Sequence, residues 1–386
     1  MKNIFYSDWK YGNVVLYLTL LVCFSLIAFY NLSSGFVMSS DSVRFSRWAD
    51  ELIKFNFNFN EFFSIDRADH RPHLFFFLVP VTLISLCKLL FVNEWQFAFL
   101  LLNLLFVFFS LIVFAKCLKL IGIRPILISL TFPIIVTSID MLTWPRFILS
   151  DMVYAFLVFL CVFFVIKIIL KKRINYFSFF LIIFLLIGCR PSSIPVIFSI
   201  IFFILVLNLQ ILSKKRNILF FLFTIFTSIP FILGLVYSFI EFNFNGIPKI
   251  DFLTNMVKVG MIIHDRPNTW VEVPSNFIDV VYIYFLRLVN FFNPYTSGFS
   301  MIHIVLNFIM TVVVLLSILT WFFIQSFIKN DKIFLFILML SLSVAAFHSF
   351  ILIDYDWRYR FPIILPLIIL IPVSLEIILK KIQNYL

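Results

Sequence analysis

The run VVLYLTLLVCFSLIAFYNL at residues 14–32 decides the class of this chain. It carries no charged side chain, and it is close to the length of about 20 residues that a transmembrane helix needs. Similar apolar runs recur to the C-terminus, so that 63% of the 386 residues are hydrophobic and only 13% are charged. A soluble core of this size cannot bury so much apolar surface. The sequence therefore predicts an all-α, polytopic integral membrane protein.

The basic residues predict how the chain is threaded through the membrane. Lys2 and Lys10 precede the first run, and Lys380 and Lys381 follow the last one, so the positive-inside rule puts both termini in the cytoplasm. No small-residue cleavage site follows the first run, which we expect to remain as a helix. The other Lys and Arg residues lie mostly in short clusters between apolar runs, and this pattern explains the net charge of +11 without a nucleic-acid partner. We expect about ten spans in the cytoplasmic membrane.

Three apolar segments, at residues 73–92, 96–120 and 124–142, lie between two polar loops that we expect outside the membrane. The first loop follows residues 14–32. The second, DMLTWPRFILSD at residues 140–151, precedes a run that ends at the basic cluster Lys171–Arg173. Two loops on the same side need an even number of crossings between them. One of the three segments therefore does not fully cross, and the sequence does not identify which.

We expect a single transmembrane domain over residues 1–386, without a soluble C-terminal domain. Its outer face carries a first loop at residues 33–72 and a large loop at residues 241–299. In the first loop, one helical face holds Val43, Phe45, Trp48, Ala49 and Leu52, which predicts an amphipathic helix in the interface plane. The run FNFNFN at residues 55–60 fits a short strand or an aromatic belt segment. Residues 277–292, interrupted by two charged side chains, fit an interfacial or re-entrant helix.

Two acids at the ends of apolar runs have both a structural and a chemical interpretation. Asp41 follows two serines at the start of the expected loop helix, where it would cap the helix, offset its dipole, or act as a general base at the membrane boundary. Asp151 begins an apolar run, where an unpaired acid is costly. It either caps that helix or joins a polar cluster with Arg146 and Asp140.

The arginines at the ends of apolar runs suit a phosphate at the membrane boundary. Arg190 stands between two apolar runs and must either pair or reach the surface. Arg358 and Arg360 lie in the turn DYDWRYR at residues 354–360, and Arg71 lies at the end of the first loop. A divalent metal held by His70 and His264 is a weaker interpretation, because no spacing demands it.

Five short motifs resemble the polyprenyl-phosphate-sugar-dependent glycosyltransferases of the C-type fold (GT-C), and most closely their protein O-mannosyltransferase and lipid A aminoarabinose transferase branches. They are SSD ending at Asp41, DHRPHLFFFLVP at residues 69–80, RFILSDM at residues 146–152, GCRPSS at residues 188–193 and WRYRFPIILP at residues 357–366. Together they cover most of the chain in order and spacing.

The resemblance implies an inverting transfer of a sugar from a polyprenyl-phosphate donor to an acceptor hydroxyl on a glycan, lipid or protein, at the outer face of the cytoplasmic membrane. Asp41 and Asp151 take the places of the catalytic acids of the two outer loops, with Asp151 positioning the acceptor or tuning Asp41. The lipid phosphate would be bound by four cations: Arg71, Arg190, Arg358 and Arg360. Further contacts to the acceptor or sugar are expected from Asp69, His70 and Tyr359.

Two other functions fit the same sequence. A polyprenyl-linked glycan polymerase or ligase would also need arginines at the outer face, and would use a lipid diphosphate. A transporter or lipid flippase would carry acids at mid-membrane in broken helices. Here the acids cluster at the ends of the apolar runs, which favours an enzyme. The expected partners are membrane lipids, the lipid-linked sugar and its acceptor. No cofactor is required by the sequence.

Overall fold

The computed structural model describes residues 2–64, 74–208, 277–295, 300–323, 331–350 and 357–385. These residues are mainly helical, and the extended pairing among them is an isolated β-bridge. The helices are α1 (Lys2–Ser34), α2 (Ser40–Lys54), α3 (Phe59–Ser64), α4 (Leu78–Leu90), α5 (Trp95–Ile121), α6 (Pro125–Thr137), α7 (Ile139–Thr143), α8 (Asp151–Ile169), α9 (Tyr176–Ile187), α10 (Ser193–Asn208), α11 (Phe277–Phe292), α12 (Met301–Phe323), α13 (Asp331–Phe350) and α14 (Phe361–Tyr385). Short 3₁₀ turns occupy Leu74–Phe77, Trp144–Arg146 and Trp357–Arg360.

Several helices are long and apolar enough to cross a membrane, which confirms an all-α, multi-pass membrane protein. The described residues hold six such segments: Tyr11–Ser34, Trp95–Ile121, Asp151–Ile169, Met301–Phe323, Asp331–Ser349 and Arg358–Gln383. A seventh candidate is the pair Pro125–Thr137 and Ile139–Arg146, which is bent by 69°. The expected number of about ten spans is therefore not reached within the described residues. The apolar run at residues 219–240 lies outside them. The helix α9 and the described part of α10 are shorter than a full span.

The chain divides into two compact units. Unit 1 comprises Met1–Ile194, Val312–Phe334 and Phe361–Leu386, and unit 2 comprises Pro195–Thr311 and Leu335–Arg360. Unit 1 contains α1 to α9 and α14, and therefore both loops that carry the candidate acids Asp41 and Asp151. Unit 2 contains α11 and most of α10 and α13.

Three contacts fix the directions of α1, α5 and α6 in unit 1. At the start of α6, Pro125 lies so close to α1 that a Cβ built on Gly12 would be 3.2 Å from the Pro125 Cβ. Near the other end of α1, Asn31 Nδ2 donates to the carbonyl oxygen of Leu142 over 2.9 Å. The helix α1 and the α6–α7 segment therefore run in the same direction. Since Lys119, near the end of α5, donates to the Tyr17 hydroxyl over 3.2 Å, α5 runs the opposite way.

The helix α4 begins and ends at the same end of unit 1. It lies along α2, where Ser85 Oγ donates to the carbonyl oxygen of Ala49 over 3.2 Å and Lys88 Nζ lies 2.6 Å from Asp50 Oδ1. The next helix, α5, starts with Trp95 against the same apolar cluster as α2 and ends beside Tyr17. We call the end of unit 1 where α1 ends and α2 begins the loop end. Within unit 1, α4 thus starts and ends at the loop end, whereas α5 and the α6–α7 segment each run from one end of the unit to the other. This arrangement predicts that segment 73–92 is the one of the three that does not fully cross.

The helix α2 buries its apolar face against α4. Four of the five residues expected on that face are buried, and the ring centroids of Phe45 and Phe77 lie 5.2 Å apart. The fifth, Val43, is 60% exposed, so its assignment to this face is wrong. A strand at residues 55–60 is also wrong, because Asn56 and Phe57 adopt left-handed backbone angles, with φ of 49° and 59°, and turn the chain into α3.

Unit 2 contains contacts between α10 and α13 and between α11 and the last 3₁₀ turn. The helices α10 and α13 contact through Phe203 and Phe336, whose ring centroids lie 5.1 Å apart. Residues 277–292, expected to form an interfacial or re-entrant helix, form α11, in which Arg287 is fully buried. The turn Trp357–Arg360 contacts the C-terminal end of α11, because Arg360 Nη1 donates to the carbonyl oxygen of Asn293 over 3.3 Å.

Candidate functional site

Asp41 lies in the first turn of α2 but does not cap the helix. The N-cap is Ser39, whose hydroxyl accepts from the backbone N–H of Ser42 over 3.2 Å, while Ser42 Oγ accepts from the backbone N–H of Ser39 over 3.0 Å. The capping box of α2 is therefore made by these two serines. Its Oδ1 lies 3.3 Å from Arg44 Nη2, and both side chains are 26% exposed. The acid therefore stands at the positive end of a helix dipole with access to solvent.

The two loops that carry Asp41 and Asp151 are joined by backbone hydrogen bonds. Val37 N–H donates to the carbonyl oxygen of Arg146 over 2.9 Å, and Ile148 N–H donates to the carbonyl oxygen of Val37 over 3.2 Å. These bonds make a parallel bridge between Val37 and Phe147. Asp41 follows Val37 by four positions, and Asp151 follows Phe147 by four positions. The helices α2 and α8 therefore both begin shortly after the bridge.

Two buried asparagines hold the second loop in place. Asn31 of α1 donates to the carbonyl oxygen of Leu142, and Asn103 of α5 donates to those of Pro145 and Phe147, over 2.9 and 3.1 Å. Between them, Asp140 is buried and accepts from Trp144 Nε1 over 3.1 Å. Amide side chains within apolar helices thus supply hydrogen bonds to carbonyl groups at the end of α7 and in the turn that follows it.

Asp151 forms a buried ion pair with Arg190. Arg190 Nη1 donates to Asp151 Oδ1, and the side chains of Arg190 and Asp151 are only 9% and 3% exposed. The N-cap of α8 is Ser150, which makes no side-chain capping bond. The expected pairing of Arg190 is thus with Asp151, while Arg146 Nε is buried without a hydrogen-bond partner. The second oxygen of the acid, Oδ2, is also buried and accepts no hydrogen bond.

The turn GCRPSS is attached to two other segments of the loop end. Tyr154 of α8 donates from its hydroxyl to the carbonyl oxygen of Ser192 over 2.6 Å. Val79 N–H, at the start of α4, donates to the carbonyl oxygen of Gly188 over 2.9 Å. A Cβ on Gly188 would lie 3.1 Å from Val79 Cγ2, so glycine permits this close approach. Burial raises the pKa of the Cys189 thiol, and the charge of Arg190 opposes this only in part, so the thiol stays protonated.

The candidate residues near the C-terminus lie in unit 2. Tyr359 stacks on His348 with a ring distance of 4.2 Å and an interplanar angle of 5°, and Arg358 lies over the Tyr359 ring at 5.5 Å. Phe291 of α11 is nearly parallel to His348 at 6.2 Å. The turn is therefore fixed by an aromatic stack beneath it, while Arg360 is held by the carbonyl oxygen of Asn293.

Four candidates, Asp69, His70, Arg71 and His264, lie outside the described residues. Asp41, Asp151 and Arg190 belong to unit 1, and Arg358, Tyr359 and Arg360 belong to unit 2. Among the residues that the structure describes, no three His, Cys, Asp or Glu side chains meet in a group that could hold a metal ion. The interpretation of His70 and His264 as metal ligands stays a prediction.

Sequence reasoning missed several residues that shape this site. Asn31, Asn103 and Tyr154 supply hydrogen bonds between segments, and His348 supports Tyr359. A sequence signal existed for the two asparagines and for His348, because a polar side chain within an apolar run needs a partner. Neither the Val37–Phe147 bridge nor the Gly188–Val79 contact carries such a signal, since both use backbone groups.

Comparisons of this chain with protein-family models, with characterised proteins and with solved structures found no match. Its own residues and contacts are therefore what point to a function.

Proposed function

We propose that this chain is a membrane-embedded inverting glycosyltransferase. It would move a sugar from a polyprenyl-phosphate donor to an acceptor hydroxyl at the outer face of the cytoplasmic membrane. The observation that carries the proposal is the meeting of four distant polar segments at the loop end of unit 1. The bridge at Val37 joins the two acid-bearing loops, the Asp151–Arg190 pair adds the GCRPSS turn, and the Gly188–Val79 bond adds the start of α4.

The acid Asp41 suits the general base of this reaction. It is partly exposed at the first turn of α2, and the capping bonds are made by Ser39 and Ser42. Asp41 would take the proton of the acceptor hydroxyl while that oxygen forms a bond to the anomeric carbon. The bond from the anomeric carbon to the phosphate oxygen breaks, and its electron pair leaves with the lipid phosphate. A phosphate leaving group needs no general acid, so a single base is sufficient.

The arginines suit the charge that develops on the departing phosphate. Arg190 is held by Asp151 through Nη1, and a guanidinium carries further N–H groups in a fixed fork. A fixed cation stabilises a developing anion without reorganisation. That Arg71, Arg358 and Arg360 also bind the lipid phosphate stays a prediction from the sequence. In this proposal Asp151 keeps Arg190 oriented, and positions the acceptor only through it.

The proposal is tested by supplying the purified chain, reconstituted in sealed liposomes, with a radiolabelled polyprenyl-phosphate sugar and an extract of membrane acceptors. Transfer of the label together with release of polyprenyl phosphate supports a glycosyltransferase. Transport of intact lipid-linked sugar without bond cleavage would instead identify a flippase. Turnover of a diphosphate-linked glycan, with the monophosphate inert, would identify a polymerase or ligase.

A further inference from the structure

Three carboxylates at the loop end of unit 1 are paired with cations. Asp41 lies 3.3 Å from Arg44, Asp50 lies 2.6 Å from Lys88, and Asp151 is paired with Arg190. The buried Asp140 accepts from the indole N–H of Trp144. An acid that already has a cationic partner contributes little net attraction for a second cation. These three acids are thus poorly suited to bind a protonated amine.

Asp151 keeps one strong acceptor without a donor. Its Oδ2 is buried and accepts no hydrogen bond, although Oδ1 is engaged by Arg190. The hydroxyl of Ser193, three residues after Arg190, is also buried without a hydrogen-bond partner. A buried carboxylate oxygen without a donor is costly, and the cost is recovered when a hydroxyl group binds it. Two such oxygen atoms, one on Asp151 and one at the end of the GCRPSS turn that carries Arg190, suit a ligand with several hydroxyl groups.

The helix termini near this pair also favour a hydroxyl group over an ammonium group as the ligand. Asp151 is the first residue of α8, so the positive end of that helix dipole lies at the pair. The helix α10 begins at Ser193, three residues after Arg190. A positive end favours an anion such as a phosphate and disfavours a cation. An ammonium group would add an uncompensated charge to a buried, already neutral pair, whereas a hydroxyl adds none.

From these contacts we propose that the transferred sugar is neutral and hydroxyl-bearing, and that Asp151 Oδ2 accepts a hydrogen bond from one of its hydroxyl groups. The site discriminates against an amino sugar in which that hydroxyl is replaced by an ammonium group. This inference rests on the proposed function and specifies its substrate class.

The test compares the binding of matched lipid probes to the full chain in nanodiscs. The probes are polyprenyl phosphate linked to glucose, mannose or galactose, the corresponding sugars with single hydroxyl groups replaced by amines, and polyprenyl phosphate without a sugar. We expect at least one neutral probe to bind about tenfold or more tightly than its best amino counterpart, as a hydrogen bond to a charged group allows. Equal or tighter binding of the amino probes overturns the inference.

Two serine variants provide matched controls within α10. Ser193→Ala removes the hydroxyl without a partner, and we expect it to weaken the neutral probe several-fold while leaving sugar-free polyprenyl phosphate unchanged. Ser199→Ala removes a buried hydroxyl that donates to the carbonyl oxygen of Pro195 over 2.7 Å in the same helix, and we expect no change with either probe. An equal effect of the two variants contradicts the role of Ser193.

The inference and the proposed function fail in different ways. If sugar-free polyprenyl phosphate binds but no sugar adds affinity, the sugar subsite is wrong and recognition of the lipid phosphate stands. If neither the sugar-linked nor the sugar-free lipid binds, the proposed function is wrong, and the proposed sugar subsite is then wrong as well.

Discussion

Arg190 donates a hydrogen bond from Nη1 to Oδ1 of Asp151, and the side chains are 9% and 3% exposed. Asp151 is the first residue of α8, and Arg190 lies in the turn between α9 and α10. The pair therefore joins two residues that are 39 positions apart in sequence. Breaking a buried ion pair leaves one charge without compensation, and that loss exceeds the net value of the pair itself.

We expect Asp151→Asn to lower the free energy of unfolding by about 3–5 kcal/mol, because it leaves the Arg190 charge buried. Unfolding by heat or denaturant in detergent micelles measures the change. The matched control is Asp50→Asn, which breaks the Lys88 pair at an acid that is 64% exposed. An exposed pair of this kind contributes about 1 kcal/mol or less. Equal losses for the two variants would contradict the buried pairing.

The contact between Gly188 and Val79 predicts a rescue. A Cβ on Gly188 would lie 3.1 Å from Val79 Cγ2, so Gly188→Ala should cost about 1–3 kcal/mol, as overpacking does. Adding Val79→Ala makes space, and the double variant should be more stable than the sum of the single effects predicts. As a control, Gly35→Ala strains a residue with φ of 70° and nothing within 4 Å, so Val79→Ala should not rescue it.

Labelling of introduced cysteines tests whether α4 crosses the membrane. Ser33, Asn93 and Lys171 are exposed, and the five native cysteines are all buried, so the unaltered chain is the unlabelled control. We expect cysteines at positions 33 and 93 to react with an impermeant maleimide from one side of sealed vesicles, and a cysteine at position 171 from the other. Labelling of position 93 together with position 171 would show that segment 73–92 crosses.

The sequence predicted which segments are helical better than it predicted what each helix contacts. Segment 73–92 is apolar and long enough for a span, yet its helix α4 lies along α2. Apolar composition does not distinguish a lipid neighbour from a protein neighbour. Asp41 was one candidate for the cap of α2, but a pair of serines, Ser39 and Ser42, makes the capping bonds.

The candidate site shows the same limit. Asp151 and Arg190 were each recognised from the sequence as charges that need a partner, because unpaired charges are costly at these depths. Their pairing with each other depends on how α8 and α9 meet, and no local pattern encodes that. The bridge between Val37 and Phe147 uses backbone groups alone, so no pattern of side chains in the sequence predicts it.

Charge reversal in unit 2 tests the phosphate role of the last turn. Arg358 lies over Tyr359, which stacks on His348, so its guanidinium is supported from one side. We expect Arg358→Glu to raise the KM for the lipid-linked donor much more than the KM for the acceptor, because the anionic phosphate would be repelled. Lys172→Glu, an exposed residue that follows α8, should change neither KM. Similar increases in both KM values for Arg358→Glu would speak against a phosphate contact.

The most direct test of the proposed reaction is the rate at which polyprenyl phosphate is released from a polyprenyl-phosphate sugar in the presence of acceptor. Asp41→Asn should fold and insert normally but release the lipid about 10²- to 10⁴-fold more slowly, since the general base is lost. Asp50→Asn, which alters another acid of α2, should release it at a rate close to that of the unaltered chain. Release by Asp41→Asn at the unaltered rate would contradict the assignment of Asp41 as the base, and with it the proposed mechanism.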